Sequence, residues 1–157
     1  MKFSLRTIIL SWLLVGTLDI TSATIHYVIR GGTNPVNILV YISSALYGPR
    51  AAEIGPPSMA ILGLALHYLV ALIWTIIFFF LYTRISLMQK NRIATGMVFG
   101  FVMQIVMSQV VVKLSNTAKG PFNLQSFVIN ALILCIAISI PLSFIAYRNY
   151  RTRPTGH

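Results

Sequence analysis

Asp19 is one of two carboxylates in the chain, and it stands near the middle of an otherwise uncharged run, TIILSWLLVGTLDITSATIHYVI, from Thr7 to Ile29. A run of about 20 residues suffices to cross a bilayer. An ionisable group at that depth costs roughly 2.5–3.5 kcal/mol on insertion scales, so it faces a bundle interior rather than lipid. A carboxyl group there can exchange a proton, pair with a cation, or serve as a hydrogen-bonding group between helices. Trp12, Gly16, Asp19, Ala23, His26 and Arg30 recur at spacings of 4, 3, 4, 3 and 4. That is the spacing of a left-handed packing seam, with small residues on either side of the aspartate. His26 lies two turns beyond Asp19, about 10 Å nearer the outer surface at 1.5 Å per residue.

Other apolar runs supply further polar groups. His67 is flanked by Gly63 and Ala71 at i−4 and i+4, and its depth is expected to fall between His26 and Asp19. Gln104 and Ser108 share a face that follows Gly96 and Gly100, a Gly-x-x-x-Gly approach suited to close helix packing. Asn130 lies in the outer half of the last run, and Pro141 predicts a kink toward its inner end. These residues define a polar column, with His26 and Asn130 outermost, then His67, then Asp19 with Gln104 and Ser108. Three uses compete. Asp19, holding a proton, can act as packing glue by bonding Gln104, Ser108 or a backbone carbonyl. It can instead change protonation as a substrate passes, as in small four-helix exporters that use a lone membrane carboxylate. Thirdly, His26 and His67 can supply axial ligands to a cofactor such as haem.

Enzymatic chemistry finds little to work with. Glu53 lies in a loop and cannot pair with Asp19 as a second acid. A Ser108–His67–Asp19 combination is one that any polar bundle would permit, so no catalytic residue is assigned. Cys135 is the single cysteine, which excludes an internal disulfide, a CxxC redox pair and a cysteine metal cluster. No metal site is expected, and the sequence names no cofactor.

The elements that must position these groups are membrane helices. The chain is 57% hydrophobic and 9% charged, with a mean hydropathy of +0.81; soluble domains carry about 25% charged residues. Spans are expected at about 7–29, 58–83, 93–114 and 125–147, within one membrane domain covering residues 1–157. The segment between the first two is too long for a simple loop. Asn34-Pro35 opens a helix and Gly48-Pro49 closes it, so a short, non-spanning helix is expected at about 35–47. It either caps the outer mouth at the interface or re-enters the protein. The expected architecture is all-α: an integral membrane four-helix bundle with a short extra helix in the first outer loop.

The net charge of +10 reflects basic residues placed between the spans, so it reads as topology rather than as a nucleic-acid stripe, and no nucleic-acid partner is expected. Eight of the 12 fall with the termini (Lys2, Arg6, Arg84, Lys90, Arg92, Arg148, Arg151, Arg153) and four on the other face (Arg30, Arg50, Lys113, Lys119). By the positive-inside rule both termini are cytoplasmic. The tail from Arg148 also has the charge to meet anionic headgroups. Lys2 and Arg6, an apolar stretch and Thr21-Ser22-Ala23 also fit a cleavable signal. A retained helix is favoured, because apolar character continues to Ile29.

In Gly16-Thr17-Leu18-Asp19, Gly63-Leu64-Ala65-Leu66-His67-Tyr68, Gly120-Pro121-Phe122 and Ser139-Ile140-Pro141-Leu142, together with the short helix closing at Gly48, the chain resembles a family of small bacterial four-helix integral membrane proteins without an assigned activity. Lys113 stands where that pattern has proline, and Leu134-Cys135 where it carries a histidine, which weakens a histidine-built metal or haem site. The resemblance implies a bacterial inner-membrane protein and supplies no activity. The expected function is small-ligand binding or proton- or cation-linked transport through the column around Asp19 and His67, in contact with the lipid bilayer. The alternative is a structural or accessory subunit, with the chain assembled as a homo-oligomer or with a membrane-protein partner.

Overall fold

The computed structural model describes residues 3–151; Lys2, Arg153 and the rest of the tail beyond Arg151 lie outside the described residues. It is all-α. Four helices are long and apolar enough to cross a membrane: α1 (Leu5–Ile29), α4 (Ser58–Arg84), α5 (Arg92–Leu114) and α6 (Leu124–Tyr150). Between the first two lie the 12-residue apolar α2 (Val36–Tyr47) and the single-turn α3 (Arg50–Ile54). Polar side chains start the helices. The Ser4 hydroxyl accepts from Thr7 N–H, Asn91 Oδ1 from Ile93 and Ala94 N–H, and Asn123 Oδ1 from Ser126 N–H. Asn34 Oδ1 likewise accepts from Val36 N–H at the head of α2. That helix stops where Gly48 takes φ +59°, a left-handed conformation open to glycine without a steric penalty. Pro49 then opens α3, a turn that the sequence reading treats as loop.

Polarity is arranged inside out. Leu13, Leu14, Ile61, Leu69, Ile73, Phe101 and Ile136 are exposed, while Ser11, Thr75, Thr95, Gln104, Ser139 and Ser143 are buried. A water-facing surface would not carry so much apolar area, whereas a hydrocarbon one does. The architecture is compatible with a multi-pass membrane protein.

Two hairpins make the bundle. α1 packs on α4, and α5 packs along α6; the middle of α6 joins the hairpins by lying against α1. The start of α1 and the end of α6 lie at one end, with the Phe3 and Tyr150 rings 6.3 Å apart. This terminal end holds the core, built from Phe3, Phe78, Phe79, Tyr82, Phe99, Leu142 and Ala146. Its rings meet closely, with centroids 4.5 Å apart for Phe3–Phe79 and 4.9 Å for Phe78–Phe99.

Glycines set the tightest crossings. A Cβ on Gly96 would meet the Ile140 backbone at 2.8 Å, and one on Gly100 the Cys135 backbone at 2.8 Å. The Gly-x-x-x-Gly face of α5 is therefore where α6 lies on it. At that contact α6 is wound as a π turn, Cys135–Ser139, just before Pro141. Proline cannot donate to the carbonyl four residues back, and its ring crowds that group, so the helix widens there. α5 carries its own π turn, Met107–Val111.

α2 lies across α4 at Gly63, where a Cβ would collide with the Leu39 carbonyl. Its far end is tied to the α5–α6 connection: Asn116 Nδ2 donates to Leu46 O at 2.9 Å, Asn116 N–H to Ala45 O at 3.0 Å, and Ser44 Oγ to Thr117 Oγ1 at 3.2 Å. α2 thus bridges both hairpins at the loop end. Gly63→Leu is expected to lift α2 off α4 and lower stability by about 1–3 kcal/mol, the usual cost of overpacking. Gly120→Ala, with open space around it, should be silent. Thermal unfolding of both variants in mild detergent checks this pair.

Candidate functional site

The first half of the α1 seam packs on α4 and the second half does not. Among the described residues three side-chain hydrogen bonds join the two helices. Trp12 Nε1–H donates to Tyr68 O at 2.7 Å, the Thr17 and Tyr68 hydroxyls bond each other at 2.8 Å, and His67 Nε2 lies 2.8 Å from Gly16 O. Gly16 lets the Tyr68 ring lie on α1, since a Cβ there would meet Cε1 at 2.9 Å. His67 therefore reaches the carbonyl three residues before Asp19.

Beyond this crossing the helices part around a cavity of about 360 Å³. Asp19, Ala23 and His26 face it from α1, His67, Val70 and Trp74 from α4, Met103, Gln104 and Met107 from α5, and Asn130, Ile133 and Leu134 from α6. Ile38, Tyr41 and Ile42 of α2 cover it. Of the sequence-derived candidates, Asp19, His26, His67, Gln104 and Asn130 line this one space. Ser108 does not: its hydroxyl donates back to Ile105 O at 3.4 Å. The π turn starting at Met107 widens the helix, and Met107 takes the wall position.

Few of the polar groups in this cavity have protein partners. Gln104 is only 7% exposed, yet its carboxamide makes no hydrogen bond among the described residues. No hydrogen bond reaches the side chains of Asp19, His26 or Asn130 among them either. Because a carbonyl oxygen can only accept, His67 Nε2 must carry the hydrogen, which leaves Nδ1 open to accept a bond or bind a proton. The packing-glue role thus belongs to Trp12, Thr17, Tyr68 and His67, while Asp19 has none of the bonds that role requires.

Trp74 and Tyr41 are wall residues that sequence reasoning passed over. A tryptophan far from either end of a span is off its usual interfacial station, and that was the available signal for Trp74. Its indole N–H points at Met107 Sδ, 3.4 Å away. Tyr41 also lines a second hollow of about 410 Å³ on the loop end, between α2 and α3. Both histidines considered as axial ligands face the cavity, but ligation through Nε2 of His67 would break its bond to Gly16. Among the described residues no three His, Cys, Asp or Glu side chains converge as a metal site.

No protein-family model, curated protein or solved structure matches the chain. Function is therefore argued from the cavity. Tyr68→Phe removes the bond to Thr17 and should cost about 0.6–1.7 kcal/mol, the range for hydrogen bonds between membrane helices. Asp19→Asn removes no bond and should change stability by less than about 0.5 kcal/mol. Unfolding in mixed micelles distinguishes the structural residue from the cavity residue.

Proposed function

We propose that the protein is a multi-pass membrane protein that binds a small ligand in the cavity between its hairpins, around Asp19 and His67, with a proton exchanged at Asp19 as the ligand enters and leaves. One observation carries this: a nearly buried Gln104, an Asp19 without a hydrogen bond among the described residues and the His67 ring all line one apolar-walled space. Buried polar groups are ordinarily paired, and groups left unpaired toward a cavity need water or a ligand. The volume falls in the range of small-molecule sites, about 300–1,000 Å³. The aromatic core closes the way to the terminal end, while α2 and its Tyr41 stand between cavity and loop-end hollow.

The eight-to-four division of basic residues supports termini on the cytoplasmic side, and the family resemblance supports a bacterial inner membrane. A structural or accessory role remains the second reading, in which a partner covers part of the exposed apolar surface.

Hydration of the cavity is tested by cysteine substitution. With Cys135→Ser as background, Ala23→Cys at the wall should react with a water-soluble thiosulfonate at least tenfold faster than Thr75→Cys, which is fully buried. Equal, negligible rates at both positions would defeat the binding role. Native mass spectrometry of protein extracted from its host addresses the second reading. A bare full-length chain or homo-oligomer supports a self-sufficient binding protein, whereas a stoichiometric second subunit supports the accessory role.

A further inference from the structure

Building on the cavity's proposed role in ligand binding, we propose that the ligand is a small organic cation, a compact amine with an apolar body, held at Asp19. Asp19 is the one carboxylate facing the cavity, since Glu53 lies on α3 outside it, and among the described residues no lysine or arginine lines the wall. The other titratable side chains facing it are His26 and His67, together with the Tyr41 hydroxyl. An anionic ligand would meet the carboxylate with no fixed cation to pair with it.

The hydrogen-bonding inventory points the same way. His67 has committed its Nε2–H to Gly16, so its contribution to the cavity in the neutral ring is the Nδ1 lone pair. Asp19 offers two oxygens and Gln104 an amide oxygen, with no protein donor on either among the described residues, while the Gln104 and Asn130 amide groups, His26 and Tyr41 bring donors of their own to the wall. An ammonium group carries donors and no acceptor, and so meets the Asp19 carboxylate and these acceptors with both charge and hydrogen bonds. An alcohol brings one donor and no charge, so it cannot take the place of the Asp19 proton. The walls suit the rest of such a molecule: Val70, Ile133 and Leu134 are aliphatic, and Trp74 brings an indole of the kind cations favour.

Amine and proton then compete for one group. A protonated amine entering a site that holds the Asp19 carboxylic acid forms the ammonium–carboxylate pair and releases one proton to water. Departure of the cation takes one proton back. Every charge is balanced, and no other reactant is needed.

Three probes of one shape test this: cyclohexylamine, cyclohexanol and cyclohexanecarboxylate, titrated into the full-length protein in nanodiscs at pH 7.5. Calorimetry and the thermal midpoint give the affinities. The amine is expected to bind at least tenfold more tightly than either of the others. Asp19→Asn should lose at least tenfold in amine affinity, and Asp19→Glu should restore most of it, which separates charge from folding. Equal binding of alcohol or carboxylate, or full amine affinity in Asp19→Asn, overturns the amine assignment while leaving a ligand cavity in place. No response to any probe overturns it too. The reactivity of Ala23→Cys then shows whether the binding cavity falls with it.

Discussion

The hydrogen bond between His67 and the Gly16 carbonyl forms where α1 and α4 cross, and the position of the cavity follows from it. On the terminal side of the crossing the helices stay in contact down to the aromatic core. On the loop side they part, and the same α1 face that packs through Trp12 and Gly16 lines open space through Asp19, Ala23 and His26. One seam therefore serves two purposes. Glycine at position 16 permits both, because it admits the Tyr68 ring and leaves its carbonyl within reach of the imidazole.

Hydrocarbon surroundings make this division consequential. A polar group inside a bilayer protein must be paired within the protein or kept wet. Trp12, Thr17, Tyr68 and the Nε2 edge of His67 follow the first course. Asp19 and Gln104, whose side chains have no hydrogen bond among the described residues, line the cavity instead. His67 does both: its Nε2 edge joins α1 to α4, and its ring lines the cavity.

The opposite hairpin contributes shape. Gly96 and Gly100 bring α5 onto α6, and the π turns at Cys135–Ser139 and Met107–Val111 adjust which side chains look inward. π turns recur at functional sites because one extra residue per turn redirects its neighbours. Here one stands beside Ile133, Leu134 and Ile138, and the other begins at Met107, all of them wall residues. α2 completes the enclosure by resting on Gly63 and by its bonds to Asn116 and Thr117.

Much of this was legible in the sequence. Hydropathy and length located four membrane-length helices, because apolar runs near 20 residues have few other uses. Asn34-Pro35 and Gly48-Pro49 bounded the short helix through backbone rules that act locally. The expense of ionising a group in hydrocarbon singled out Asp19, and helical periodicity gathered His26, His67, Gln104 and Asn130 around it. Contacts between helices were another matter. The reach of His67 to Gly16, the loss of Ser108 from the wall, the π turns and the Tyr41 and Trp74 walls all depend on where two axes cross and how closely. Local propensity and periodicity say which face of a helix is special. Only packing of the whole bundle decides whether that face is buried in contact or left open as a cavity.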